Sequence, residues 1–142
     1  MINIFIDTSG SMSEMGKSSG VIYIVKSILD YCKEKHIETS LFKLNGEIIN
    51  DVLSLEFNER IQEINIDKVS NSILISDGLL LANNSLFDIS FAIGIDCDKS
   101  NLNIISKRTF EQENIVQALE YLLFKNNALE NIIVEEDDDD EC

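Results

Sequence analysis

Two short apolar runs in this chain each end on an aspartate. Ile2-Asn3-Ile4-Phe5-Ile6 runs into Asp7, and Ser72-Ile73-Leu74-Ile75-Ser76 runs into Asp77-Gly78. Brief runs rich in β-branched and aromatic residues suit strands covered on both faces, as in a parallel sheet held between helical layers. Each aspartate then marks the point where a buried strand gives way to a loop, because an ionised carboxylate is costly to carry into an apolar layer.

The rest of the chain alternates in the same way. Val21, Ile24, Val25, Ile28 and Cys32 recur at helical spacing, so residues 17–35 are expected to form a helix. Residues 37–44 and 47–53 read as two strands around Asn45-Gly46, a strong hairpin signal. A short helix is expected over 57–66, a strand over 88–95, a helical turn or two around Leu102 to Ile105 and a short strand over 107–110. Ile115, Val116, Leu119, Leu122 and Leu123 share one face of a helix over 111–126, with Glu111 and Glu113 in its first turn. Strands alternating with helices imply an α/β domain with a largely parallel sheet.

At 142 residues the chain has the length of one domain. Its formal net charge is -15, and seven of its 26 acids form the unbroken run Glu135 to Glu141. Without that run, 19 acids against 11 Lys+Arg still leave -8, which argues against binding a nucleic-acid backbone. The acidic run reads as a self-repelling tail, so residues 1–129 are expected to fold and residues 130–142 to form an appendage. Cys32, Cys97 and Cys142 form no CxxC pair, as expected of a reduced, cytoplasmic setting. No apolar segment has the length of a signal peptide or a membrane span.

The loop after the first run is Asp7-Thr8-Ser9-Gly10-Ser11-Met12-Ser13. Asp7, Ser9 and Ser11 bring three side-chain oxygens within five residues. Such a set suits a hard cation, Mg²⁺ or Mn²⁺, and equally the capped turn that often opens a helix. In open α/β sheets ligands bind beyond the carboxyl ends of the strands where strand order reverses. If the Asp7 and Asp77 strands are neighbours there, both carboxylates share one crevice with Ser9 and Ser11. Asp96 and Asp98 could face the same edge, although a solvated loop is the simpler expectation. His36 has no cysteine or histidine cluster around it, so no zinc site is expected.

Asp7-Thr8-Ser9-Gly10-Ser11 resembles the metal-ion-dependent adhesion site (MIDAS) of von Willebrand factor type A (vWA) domains. Ile73-Leu74-Ile75-Ser76-Asp77-Gly78 is similar to that family's second acidic segment, and Phe91-Ala92-Ile93-Gly94-Ile95, followed by Leu102 and Ile105, to a later strand and the segment after it. The likeness spans residues 2 to about 125. It implies a Rossmann-like three-layer sandwich: a mostly parallel central sheet, one antiparallel hairpin strand and helices on both faces. It also implies a small vWA-like domain over residues 1–129 in which Ser9 and Ser11 coordinate Mg²⁺ or Mn²⁺ directly while Asp7 and Asp77 act mainly through metal-bound waters. A Glu or Asp carboxylate from a partner protein would complete the ion, making the domain an interaction module and not an enzyme. The family's usual threonine between hairpin and second acidic segment has no counterpart, since residues 45–72 contain no Thr; Ser70 and Ser72 are the hydroxyls nearest in sequence.

Two other functions fit the same residues less fully. A metal-free acidic scaffold would use the surface charge and retain the site as a relic. A magnesium-dependent phosphotransferase or phosphatase would use Asp7 as nucleophile, with Lys17 or Lys99 as phosphate-binding cation.

Overall fold

The computed structural model describes residues 1–60, 64, 66–82 and 84–130, with side chains as far as residue 124. The acidic run and Cys142 lie outside the described residues. Five parallel strands form one sheet in the order β2-β1-β3-β4-β5. They are β1 (Ile2–Ile6), β2 (Thr39–Lys43), β3 (Ser72–Ser76), β4 (Ile89–Ala92) and β5 (Thr109–Phe110). Three helices, α1 (Lys17–Glu34), α2 (Lys99–Ile105) and α3 (Ile115–Glu130), complete an α/β Rossmann-like sandwich.

The side-chain alternation of each central strand divides the core in two. Ile2, Ile4 and Ile6 of β1 and Ile73 and Ile75 of β3 pack with α1 and α3, whose Val21, Ile24, Ile28, Leu119 and Leu122 lie in the same cluster. Phe5 and Leu74 face the other way, onto Phe87 and the Leu102 and Ile105 pair of α2. The sheet is therefore covered on both faces, which is why β1 and β3 read as nearly continuous apolar runs.

The antiparallel hairpin strand is not formed among the described residues. Gly46 takes φ +91° and the chain reverses, with Lys43 N–H donating to Glu47 O and Ile49 N–H to Leu41 O. Pairing stops at a single antiparallel bridge, Phe42 with Ile48. Asp51 ends it, because its carboxylate accepts from Leu53 N–H and turns Val52–Ser54 into a 3-10 segment. The helix expected over 57–66 falls partly outside the described residues. Phe57–Arg60 are not helical, and Glu59 forms a parallel bridge with Ser9.

The chain leaves β1 toward β2 on one side and leaves β3 toward β4 on the other. Strand order therefore reverses between β1 and β3, which are adjacent in parallel register. Asp7 and Asp77 are the residues next after these two strands, so both stand at the switch point.

Candidate functional site

Asp7 still belongs to the ladder, since its N–H donates to Ile75 O. Its side chain turns inward and is buried. One carboxylate oxygen accepts from Ser9 N–H at 2.9 Å and the other from Ser76 Oγ at 2.7 Å. Burial pushes the Asp7 carboxyl above the ordinary aspartate range, against the opposing pull of the Ser9 and Ser76 hydrogen bonds, and the nearby Asp77 charge adds to the rise. Ser76 also accepts from Gly78 N–H, so it ties the end of β1 to the turn after β3.

The turn beyond Asp7 sets the hydroxyls side by side. Ser9 Oγ and Ser11 Oγ are 3.3 Å apart, close enough for one ion to touch both. A second segment braces this turn: Gly10 N–H donates to Glu59 O and Glu59 N–H to Thr8 O. The Thr8 hydroxyl donates to the Glu59 carboxylate, which Lys43 also reaches at 3.2 Å. The Thr8 hydrogen bond, followed by Lys43, holds the Glu59 carboxyl below its ordinary range. Glu59 thus packs on the loop where sequence reasoning looked for a hydroxyl. Ser70 and Ser72 do not serve there. Ser70 O accepts from the Asn3 side chain, and Ser72 pairs with Asn3 at the opposite end of the sheet.

Asp77 has a partner that the sequence offers only as a phosphate-binding cation. The Lys17 side chain is fully buried, and its Nζ lies 3.0 Å from Asp77 Oδ2 and 2.9 Å from Asp96 Oδ1. The other Asp77 oxygen accepts from Leu79 N–H. Burial opposes the charge on Lys17, but the Asp96 and Asp77 carboxylates outweigh it and hold the ammonium above the ordinary lysine range. The same contact keeps Asp96 below its ordinary range. A signal for Lys17 was present: positions 17, 21, 24, 28 and 32 form one helical stripe, and Lys17 opens the buried one.

Asp96 is therefore part of this edge, not simply a solvated loop residue. Asp98 caps α2, accepting from Asn101 N–H, and its own N–H donates to Asp77 O.

The donor chemistry at this edge is that of hard oxygens. The Ser9 and Ser11 hydroxyls are neutral oxygens beside the Asp7 carboxylate, to which Ser9 also hydrogen-bonds, and the charge of Asp77 is matched by Lys17. No cluster of three or more His, Cys, Asp or Glu side chains able to hold a metal occurs among the described residues, so any ion here would depend on serine oxygens. Three exposed apolar side chains stand on the loops that leave this edge: Met15 after β1, Leu81 after β3 and Ile95 after β4, at 64%, 60% and 96% exposure.

Comparison with family models, curated proteins and solved structures finds no match for this chain. No described helix is long and apolar enough to cross a membrane. Fold and site together define a doubly wound α/β protein with a cluster of buried polar and charged side chains at its switch point.

Proposed function

We propose that this chain is a cytoplasmic protein-interaction module of vWA type. Its crevice takes a Glu or Asp side chain of a partner protein, with Mg²⁺ or Mn²⁺ as the intervening charge. Ser9 and Ser11 would hold the ion directly, with Asp7 and Asp77 acting through water. The observation that carries this reading is the pair of adjacent hydroxyls beside Asp7 at the β1/β3 switch point. Two serines bring no formal charge to an ion, so an incoming carboxylate would gain a strong contact.

The exposed Met15, Leu81 and Ile95 support a docking face around that contact, since large apolar side chains left in water often mark one. Both Asp7 oxygens already accept hydrogen bonds, an arrangement that favours holding over nucleophilic attack. The acidic surface disfavours nucleic acid as the partner.

A metal-free scaffold is the second reading, favoured by Lys17, which already neutralises Asp77. Thermal unfolding in EDTA, Mg²⁺ and Mn²⁺ separates the two. Ions that bind the folded state raise the midpoint with concentration. The metal reading expects this rise in the parent and its loss in Ser9→Ala/Ser11→Ala. A parent midpoint indifferent to both ions at concentrations up to about 10 mM would refute it.

A further inference from the structure

Lys17 opens α1, a position where lysine normally extends into water, yet its whole side chain is buried. The fold makes room for it. Gly94, at φ +88°, lies so close that a Cβ there would sit 2.6 Å from Lys17 Cε and 3.3 Å from Cδ. The route ends between two unlike carboxylates. Asp77 is fully enclosed, while the Asp96 side chain is 39% exposed and carried by the loop after β4. The β1–α1 connection that presents Ser9 and Ser11 also leads directly to this ammonium, so one segment supplies both the neutral oxygens and the fixed positive charge.

We propose that Lys17 is the affinity-setting counter-ion of the site: its ammonium and a divalent cation are alternative partners of Asp77, and Asp96 keeps the ammonium when the ion takes Asp77. This deepens the metal-dependent reading above and rests on it. Charge and geometry carry the argument. Asp77 and Asp96 with Lys17 leave this edge one charge negative. Without Lys17 it would be two charges negative, and a cation would meet a stronger field and an Asp77 oxygen no longer held by an ammonium.

Exchange is feasible because Lys17 already touches both carboxylates, at 3.0 and 2.9 Å. Releasing Asp77 therefore does not strand an unpaired ammonium in the interior, which would be prohibitively costly. The partner that stays with Lys17 in this exchange is Asp96, the more exposed of the two carboxylates.

The test is Mn²⁺ binding, followed by the loss of the free-ion paramagnetic signal, for the full chain and for Lys17→Met and Lys17→Gln. The proposal expects at least tenfold tighter binding in both variants, abolished again by adding Ser9→Ala/Ser11→Ala. Equal or weaker binding in variants that fold would overturn it. If neither variant folds in EDTA, folding restored by millimolar Mn²⁺ supports the exchange, and chains that stay unfolded in Mn²⁺ refute it. Absence of Mn²⁺ binding in the parent alone would defeat the metal reading while leaving Lys17 as the reason. Binding of equal strength in parent and variants would defeat only the role of Lys17.

Discussion

The buried Lys17–Asp77 pair predicts an unequal response to removing its two members. Both side chains are fully enclosed and 3.0 Å apart. Replacing Lys17 with Met, a residue of similar reach, leaves the Asp77 carboxylate inside the protein with Leu79 N–H as its remaining partner at 3.1 Å. Breaking a buried pair in this way costs about 3–5 kcal/mol, largely the penalty for the stranded charge. Asp77→Asn is milder, because Lys17 keeps Asp96 at 2.9 Å and an amide oxygen can still accept from Leu79 N–H. Its expected cost is about 1–2 kcal/mol, that of weakened hydrogen bonding. Asp96→Asn removes a carboxylate that is partly in water, and less than about 1 kcal/mol is expected.

Lys17→Met/Asp77→Asn decides the matter, because it removes the stranded charge and leaves an amide in its place. The double variant should be more stable than Lys17→Met alone. Urea unfolding followed by circular dichroism in EDTA gives all four free energies on one scale. For a chain of this length, the Lys17→Met loss corresponds to a midpoint fall on the order of 10 °C. A Lys17→Met cost below about 1 kcal/mol, or costs that simply add in the double variant, would refute the picture of an enclosed, charge-matched pair.

Three further outcomes follow from the same geometry. Because burial raises the Asp7 carboxyl, the native state keeps a proton that the unfolded chain has lost just above pH 3.8, so in that window stability falls as pH rises; Asp7→Asn in EDTA should remove this slope and be at least as stable as the parent at pH 7, and a clear loss of stability would contradict it. Glu59 is held low chiefly by Thr8 and then by Lys43, so its contribution is present above pH 4.5 and is lost as pH falls through its native value; Thr8→Val should flatten that acid limb in pH-dependent unfolding. Gly78 has φ +80° and a Cβ there would lie 2.4 Å from Asp98 O, so Gly78→Ala should cost about 3 kcal/mol or more, measured by urea unfolding, through combined strain and displacement of the 94–98 loop.

The parts of this site legible in the sequence were those with contiguous signals. β1 and β3 could be read because strands covered on both faces stay apolar without a break, and their terminal aspartates followed at once. The Ser9 and Ser11 pair was visible as spacing within one turn. Lys17 and Glu59 were harder, since each acts across long stretches of chain: 60 residues separate Lys17 from Asp77, and 51 separate Glu59 from Thr8. Lys17 nevertheless lay on the buried stripe of α1, where charge and helical position together pointed to an enclosed partner. The hairpin was overread because Asn45-Gly46 specifies a reversal but not the pairing after it. Asp51 competes for the backbone four residues after Glu47 and ends the second arm after one bridge.

The two long-range contacts explain how loops can hold a defined site. On one side, residue 59 brackets the Thr8-to-Gly10 turn with two backbone hydrogen bonds and the Thr8 hydroxyl contact. On the other, Asp98 N–H holds Asp77 O at 2.8 Å, and the Asn101 side chain holds both Gly78 O and Leu80 O. Between these braces, Ser76 links Asp7 to the Gly78 turn. Every side chain invoked for the cation thus has a fixed hydrogen-bonding neighbour before any ligand arrives. Little conformational entropy remains to be lost on binding, and the affinity of such a site is decided by charge. On the reading proposed above, that places the balance on Lys17, which the fold encloses against Asp77.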